Sequence, residues 1–413
     1  LGRMTRWKIL SATVALLLAN LPAAAQPAWL DQLDDSLFVE SHTGFFRADV
    51  SGLLDLEAYS IDQLPPGLLF SNDDVFFNPR LSLFLDTHLG PHVYSLVQAR
   101  FDRGFDPGVR PDGDSRLDEY LLRYTPFDDA RLNLQVGKFA TVFGNWVPRH
   151  DSWNNPFINA PLPYENVVTI TDQVAPGAPA GFLARRNIPD NKRAWLPVIW
   201  GPSYTTGASV FGRIEKLDYA FEIKNASLSS RPYAWEATRI NWSNPTFTGR
   251  IGWQPNASWK VGSSASYGTY LLPAAQATLP AATSLRDFNQ LTVGTDVSYA
   301  WHHWQLWAEA MASQFQVPNV GNAETIAYYL EAKYKLTPRL FAAARWNQQF
   351  FNDVPDVTGG QRAWDRDIWR LEGALGCRLT RHLQGKLQYS YSHQNGPLQQ
   401  GEQLVATQVT LKF

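Results

Sequence analysis

Alternation of apolar and polar residues with a period of two recurs along this chain from residue 45 to the last residue. Successive side chains of a β-strand point to opposite faces, so each such segment predicts a strand with one apolar and one polar face. In the segment 326–335, Ile326 and Leu330 would face an apolar medium, whereas Glu331 and Lys333 would face water. This pattern is typical of the wall of a transmembrane β-barrel.

The connections between these segments alternate between short and long. Outer-membrane barrels join their strands by short periplasmic turns and longer external loops. We therefore predict an all-β fold, a transmembrane antiparallel β-barrel of about 16 strands (range roughly 14 to 18), with both termini on the periplasmic side. The short turns are expected at 90–91, 126–129, 215–216, 255–257, 302–303, 337–338 and 380–382, and the long loops at about 60–75, 103–116, 140–203, 226–246, 271–287, 316–324, 351–366 and 393–402.

The N-terminal segment predicts export. Arg6 and Lys8 precede an apolar run that ends in small residues, which is the pattern of a cleavable secretory signal peptide. We expect a signal peptide over residues 1–25 with cleavage after Ala25, a periplasmic leader over residues 26–44, and an outer-membrane barrel over residues 45–413. The expected location is thus the outer membrane of a Gram-negative-type bacterium.

Composition narrows the function classes. The net charge of −2 becomes more negative once the signal peptide and its three basic residues are removed, so nucleic acid is not an expected partner. Cys377 is the single cysteine, which excludes a disulfide within the chain and a cysteine-based metal site. No cofactor-binding motif is present, and no histidine lies in a nucleophile motif, so we expect no cofactor, no metal and no enzyme activity. The 16 tryptophans are dispersed, as interfacial girdles of a barrel require.

The third long loop, residues 140–203, is much longer than most connections, and compact long loops usually carry function. We expect it to fold inward and narrow a pore; the alternative is an external cap. A channel selects by the charges at its narrowest section, so the basic residues of this loop would favour an anion. Alternatively, they are ordinary solvated loop charges. The candidate constriction and solute-binding residues are Arg149, His150, Asp151, Arg185, Arg186, Lys192 and Arg193.

Charged residues on the polar faces of the strands are expected inside the lumen, because a charge facing lipid at mid-bilayer costs about 2–4 kcal/mol. Most of them should pair across neighbouring strands, and only unpaired charges would select solutes. The basic wall residues are Arg100, Arg123, Arg213, Lys224, Arg250, Lys260, Lys333, Arg345, Arg370 and Lys386, and the acidic ones include Asp86, Glu119, Glu215, Glu222, Asp296, Glu331 and Glu372.

The final strand alternates up to a terminal aromatic residue, Phe413. This ending resembles the C-terminal assembly signal of outer-membrane proteins. The resemblance implies that the barrel-assembly machinery recognises Phe413 and inserts the chain into outer-membrane lipid.

A second resemblance lies around the start of the third loop. The stretch 136–144 reads Val-Gly-Lys-Phe-Ala-Thr-Val-Phe-Gly, and Asn-Pro-Phe-Ile at 155–158 and Pro-Leu-Pro at 161–163 follow it. These elements resemble the phosphate-selective porin family over some 30 residues. The resemblance implies a 16-stranded channel that forms a homotrimer. That family relies on a one-sided arginine ladder, which is not evident here, so phosphate is only one candidate solute.

Three functions remain in competition. The leading hypothesis is a porin-like channel for passive diffusion of small hydrophilic solutes or ions, with anion or phosphate preference as its narrower form. The second is a conduit or binding barrel for a polysaccharide or a periplasmic partner. The third is a lipid-active barrel enzyme.

Overall fold

The computed structural model describes residues 36–62, 68, 73–102, 114–188, 194–232, 242–356, 358–395 and 401–413. Sixteen antiparallel strands form one sheet, which closes into a barrel because the first strand pairs with the last. The predicted barrel is therefore confirmed. The strands are β1 Phe46–Ile61, β2 Val75–Leu89, β3 Val93–Asp102, β4 Asp114–Tyr124, β5 Asn133–Phe139, β6 Thr205–Ile214, β7 Leu217–Lys224, β8 Thr246–Trp253, β9 Trp259–Thr269, β10 Asn289–Trp301, β11 Trp304–Val317, β12 Gly321–Lys335, β13 Leu340–Phe351, β14 Ile368–Arg378, β15 Leu383–Gln394 and β16 Glu402–Lys412.

The alternating apolar and polar residues of the sequence lie on the outer and inner faces of the barrel wall. In β12, Ile326 and Leu330 expose 57% and 55% of their surface, whereas Ala327 and Glu331 expose 1% and 3%. Apolar side chains thus cover the outside, and polar side chains fill the inside. Four exposed tryptophans lie near the end of the barrel where the short turns are: Trp253, Trp259, Trp301 and Trp304; the exposed Trp242 lies instead in the long connection before β8.

Short turns join the strands at one end, the short-turn end, and, with one exception, longer segments join them at the other, the long-loop end. Two predicted loop bounds were wrong. The expected loop 316–324 is only the connection 318–320, because β11 and β12 pair up to Val317 and Gly321. The expected loop 103–116 ends earlier, because β4 begins at Asp114, so Arg116 belongs to the wall.

One β-bulge interrupts the pairing of β3 with β4. Gln98 pairs with Glu119 and Ala99 pairs with Leu117, so Asp118 is an extra residue without an opposite partner. Leu117 is 45% exposed, whereas Asp118 is fully buried. The bulge therefore turns an additional carboxylate towards the interior.

The first described residues and the last residue of the chain lie together at the short-turn end. The short strand Phe38–Glu40 pairs with residues 47–49 of β1, so the end of the expected leader extends the sheet. Phe413 exchanges backbone hydrogen bonds with Gly52, and a side chain at Gly52 would lie within 2.4 Å of the Phe413 ring. Ala25 and the rest of residues 1–35 lie outside the described residues.

The third loop, residues 140–204 between β5 and β6, has several small elements of its own. It contains α1 Leu162–Glu165, α2 Pro179–Ala184, the 3-10 helices Val147–Arg149 and Arg185–Asn187, and a hairpin of Val167–Thr171 with Trp195–Pro197. Elsewhere lie the 3-10 helices Pro273–Thr278 and Leu285–Asp287 and a hairpin of Asp353–Pro355 with Gln361–Ala363. Among the described residues, none of the helices is long and apolar enough to cross a membrane.

Candidate functional site

The third loop begins on the inner side of the barrel, where it is hydrogen-bonded to one carboxylate of the wall. Glu309 of β11 accepts hydrogen bonds from the backbone N–H groups of Asn145 and Trp146, the latter at 2.7 Å, and from the Tyr164 hydroxyl at 2.5 Å. Gly144 has φ +75°, and a Cβ atom there would lie 2.3 Å from the Tyr164 hydroxyl. Glycine is therefore required at this position by both backbone conformation and space.

A chain of ion pairs holds the middle of the loop. Arg149 lies 2.5 Å from Glu331, and Glu165 lies 2.5 Å from Arg370. Arg345 bridges these two ends, at 3.4 Å from Glu331 and 2.5 Å from Glu372. Glu372 closes the chain at 3.3 Å from Arg370. We call these six side chains, each at most 11% exposed, the loop clamp: Arg149, Glu331, Arg345, Glu372, Arg370 and Glu165.

Backbone groups of the loop are also paired with the wall. Arg345 donates to the carbonyl oxygens of Asn159 and Ala160, both at 3.1 Å. The N–H groups of Ile158 and Leu162 donate to Gln388 and Asn347 of the wall, at 2.6 Å and 3.1 Å. Because buried backbone groups need such partners, this part of the loop can lie inside the barrel without losing hydrogen bonds.

The later part of the loop packs at the long-loop end. Phe182 of α2 stacks on Trp364, with ring centroids 5.9 Å apart, and Trp364 contacts Phe351 edge-on at 4.8 Å. These rings belong to a buried apolar cluster that also includes Val168, Leu196 and residues from the segment 270–288. We call the described residues of the segments 167–200, 270–288 and 352–367 the outer cap.

An open cavity of about 420 Å³ remains between the third loop and the strands β1 to β4. We call it the passage. The loop contributes Trp146 and the segment 150–160, and aromatic side chains such as Tyr59 and Phe84 stand on the wall. The charged residues that line it are Asp55, Arg80, Arg100, Asp102, Arg116, Glu119, Asp151, Glu165 and Lys412, together with His150.

Three arginines on adjacent strands form the wall of the passage; we call Arg80, Arg100 and Arg116 the arginine row. Arg80 lies 3.0 Å from Asp55 and 2.7 Å from Glu57. Asp118, the bulged residue, lies 3.0 Å from Arg100 and 2.8 Å from Arg116. Asp102 lies 3.0 Å from Arg100 and 2.7 Å from Arg116.

The arginine row faces the passage more than its carboxylates do. The three guanidinium side chains are 11–19% exposed, whereas their carboxylate partners are 0–5% exposed. The positively charged side chains are thus closer to solvent than the negative charges that balance them. The passage can therefore offer hydrogen-bond donors to a solute while its overall charge stays nearly balanced.

The predicted constriction residues separate into two groups. Arg149 belongs to the loop clamp, and Asp151 accepts the N–H groups of Trp153 and Asn154, both at 2.9 Å. His150 Nδ1 bonds the Val147 carbonyl and Nε2 bonds the Tyr204 hydroxyl, each at 2.6 Å, and burial lowers the histidine pKa.

Arg185 and Arg186 lie in the outer cap and donate to the carbonyl oxygens of Thr169 and Ala363. The structure therefore does not bring them together with Arg149 and His150. Lys192 and Arg193 lie outside the described residues.

Many predicted wall charges have a partner. Arg250 lies against Asp296, Lys224 lies 3.6 Å from Glu222, and Lys260 lies 3.4 Å from Asp218. Lys386 donates to the Ser152 carbonyl. Three others have no carboxylate within ion-pair distance in the described parts: Arg123 donates to Gln135 at 2.9 Å, Lys333 lies over the Phe341 ring at 4.4 Å, and the exposed Arg213 donates to the Glu215 carbonyl at 3.0 Å.

Sequence reasoning missed the arginine row except for Arg100, and it missed Glu309. A signal for Arg80 exists, because it alternates with Asn78 and Ser82 on one face of β2. Arg116 gave a weaker signal, because the bulge at Asp118 breaks the alternation next to it. Among the described residues, no group of three or more His, Cys, Asp or Glu is placed to hold a metal ion.

Comparisons with known proteins identify the fold. No protein-family profile matches the chain, and no curated sequence does. Solved structures do match over nearly the full length. The outer-membrane channel DcaP of Acinetobacter baumannii has a TM-score of 0.58 and 11% identity, with 91% of this chain and 99% of that chain covered.

Two further structures agree. The anion-selective porin from Comamonas acidovorans has a TM-score of 0.55 and 9% identity, covering 89% of this chain and 100% of that one. The outer-membrane protein OmpT of Vibrio cholerae has a TM-score of 0.53 and 9% identity, covering 91% and 100%. At these identities the likeness establishes the fold of an outer-membrane barrel.

Proposed function

We propose that this protein is an outer-membrane channel through which small hydrophilic solutes diffuse passively. The observation that carries the proposal is the passage, a cavity of about 420 Å³ lined by charged side chains between the third loop and β1 to β4. A polar interior inside an apolar wall is what a water-filled pore requires. The short-turn end would face the periplasm, and the long-loop end with its outer cap would face outside.

The third loop would form the constriction of this channel. The support is the set of contacts described above, in which Glu309 and the loop clamp hold residues 144–165 against the inner side of the wall. Arg149 would act there as a positioning residue, and His150 and Asp151 would line the narrow section. Arg185 and Arg186 would take no part in it.

The narrower proposal is a mild preference for anions, located at the arginine row. Its support is the greater exposure of the guanidinium groups relative to their carboxylates. Because every member of this row is ion-paired, its field is largely cancelled, and selection for phosphate over other anions is not part of the proposal. The likeness to an anion-selective porin is of fold only.

Conductance of the refolded protein in a planar bilayer tests the channel. Discrete open steps that grow with salt concentration are expected. A bilayer that stays closed would reject passive conduction and favour a conduit or binding barrel, whereas release of fatty acid from phospholipid would favour the enzyme alternative. Trimer formation, signal cleavage after Ala25 and recognition of Phe413 by the assembly machinery remain predictions.

A further inference from the structure

Three arginines of the outer cap differ from those of the loop clamp and the arginine row in their partners among the described residues. Each arginine of the loop clamp and of the arginine row lies within 4 Å of a carboxylate. In contrast, Arg186, Arg362 and Arg366 form no ion pair with any residue in the described parts of the chain. Among the described residues, these three positive charges have no carboxylate within ion-pair distance.

Hydrogen bonds bring these three arginines to one place. Arg186, in the 3-10 helix Arg185–Asn187, donates through Nη1 to the carbonyl oxygen of Ala363. Arg366 donates through Nη2 to the side-chain oxygen of Asn187 at 3.4 Å. Arg362 precedes Ala363 in the hairpin strand Gln361–Ala363 and is exposed. Burial lowers the pKa of Arg186, and the charges of Arg366 and Arg362 lower it further, which agrees with their proximity.

Arg366 is the buried member of this group. It is only 6% exposed, and its Nε atom is buried without a hydrogen-bond partner. The carboxylates that face Arg186 are Asp365 and Asp353. Asp365 is engaged by the N–H groups of Thr169 and Arg366, each at 2.8 Å. A buried guanidinium nitrogen without an acceptor is unfavourable, and the planar set of arginine donors matches the oxygens of a tetrahedral anion.

We propose that Arg186, Arg362 and Arg366 form a binding site for a phosphate-class oxyanion on the outer cap. The site lies apart from the passage, and it does not depend on the conduction proposed above. Arg362 supplies an exposed guanidinium, Arg366 a buried one whose Nε needs an acceptor, and Arg186 lies between them on the loop. The oxyanion can be a free phosphate or the phosphomonoester headgroup of a lipid, since both present the same oxygens.

Calorimetric titration of the refolded protein in neutral detergent micelles tests the site. One arm adds inorganic phosphate, and the other compares micelles with and without phosphatidic acid. Heat with inorganic phosphate would identify a soluble anion as a ligand, and heat confined to the phosphatidic acid arm would identify a lipid headgroup. No binding in either arm would overturn the proposal.

Variants connect the binding to these residues. Arg362→Gln should weaken affinity about ten-fold, because a charge-assisted hydrogen bond is lost. Arg362 is exposed, so this variant should fold normally, and Arg186→Gln should act in the same direction. The matched control is Arg286→Gln, which changes another exposed arginine of the long-loop end whose Nε donates to Asn244 at 3.1 Å. Equal affinity of R362Q and R286Q would overturn the assignment, whatever the conductance of either protein.

Discussion

Arg149 and Glu165 are the two ends of one buried chain of ion pairs, although both belong to the same loop. The four side chains between them come from the wall strands β12, β13 and β14. The loop therefore adds a second and closer partner to Glu331 and to Arg370, which the wall alone would leave with one partner each at 3.4 Å and 3.3 Å. Because an unpaired buried charge is costly, the wall and the loop stabilise each other.

Replacement of the central member should loosen the loop. Arg345→Met leaves Glu331 and Glu372 with one arginine each, removes the guanidinium donor to the Asn159 carbonyl, and leaves the Ala160 carbonyl with Arg370 as its donor. Breaking a buried pair costs about 3–5 kcal/mol. We expect faster amide exchange across residues 157–165 and greater open-channel noise. The control Arg131→Met changes a 54% exposed side chain near Asp129 and should cost at most about 1 kcal/mol. Similar exchange in both variants would contradict a clamp.

A methyl group at Gly144 should displace the start of the loop. Gly144→Ala places a Cβ atom against Tyr164 and Glu309 in a left-handed backbone, at a cost of about 1–3 kcal/mol. Limited proteolysis should cut the loop faster in this variant. Gly181→Ala is the matched control, since Gly181 lies in α2 and a Cβ atom there meets nothing within 4 Å. The idea fails if the two variants are cut at the same rate.

Neutralising Arg100 should reduce any anion preference. In Arg100→Gln, Asp102 and Asp118 keep Arg116 as a partner, so the wall should stay folded. One charge a few ångströms from an ion is worth about 1 kcal/mol in water, so the anion-to-cation permeability ratio should fall up to about five-fold. The reversal potential in a salt gradient measures this ratio. Arg286→Gln should leave the potential unchanged, and an equally unchanged potential in R100Q would exclude the arginine row as the selective element.

Acid should loosen the segment around His150. Burial lowers its pKa, so the folded loop favours the neutral ring, with Nε2 accepting from Tyr204. The unfolded value is about 6.5, so this contribution is complete above that pH and is lost as the pH falls towards the lower folded pKa. Open-channel noise should rise between pH 7.5 and pH 5.5 in the wild-type protein. A His150→Gln protein should show no such rise; the same rise in both would point to another titrating group.

The sequence predicted the barrel well because apolar and polar residues alternate along each strand as its outer and inner faces require. Ile326 and Leu330 face out and Glu331 faces in, as their positions require. The site was harder to predict, because contacts such as Glu309 with Tyr164 join residues far apart in sequence. Arg185 and Arg186 show how far sequence can predict the site. They lie in the same loop as Arg149, which suggested a shared role, but they follow α2 and lie in the outer cap.

The bulge at Asp118 divides β4 into two parts, and the alternation of inward and outward side chains is shifted by one residue between them. Residues before it place Arg116 inside and Leu117 outside, and residues after it place Leu121 inside and Leu122 outside. Deleting Asp118 would restore continuous pairing with Arg116 still inside and Leu117 still outside, and it would remove the carboxylate that lies 3.0 Å from Arg100 and 2.8 Å from Arg116. A single extra residue thus decides which sequence positions of β4 face the lumen, and the same residue neutralises two arginines.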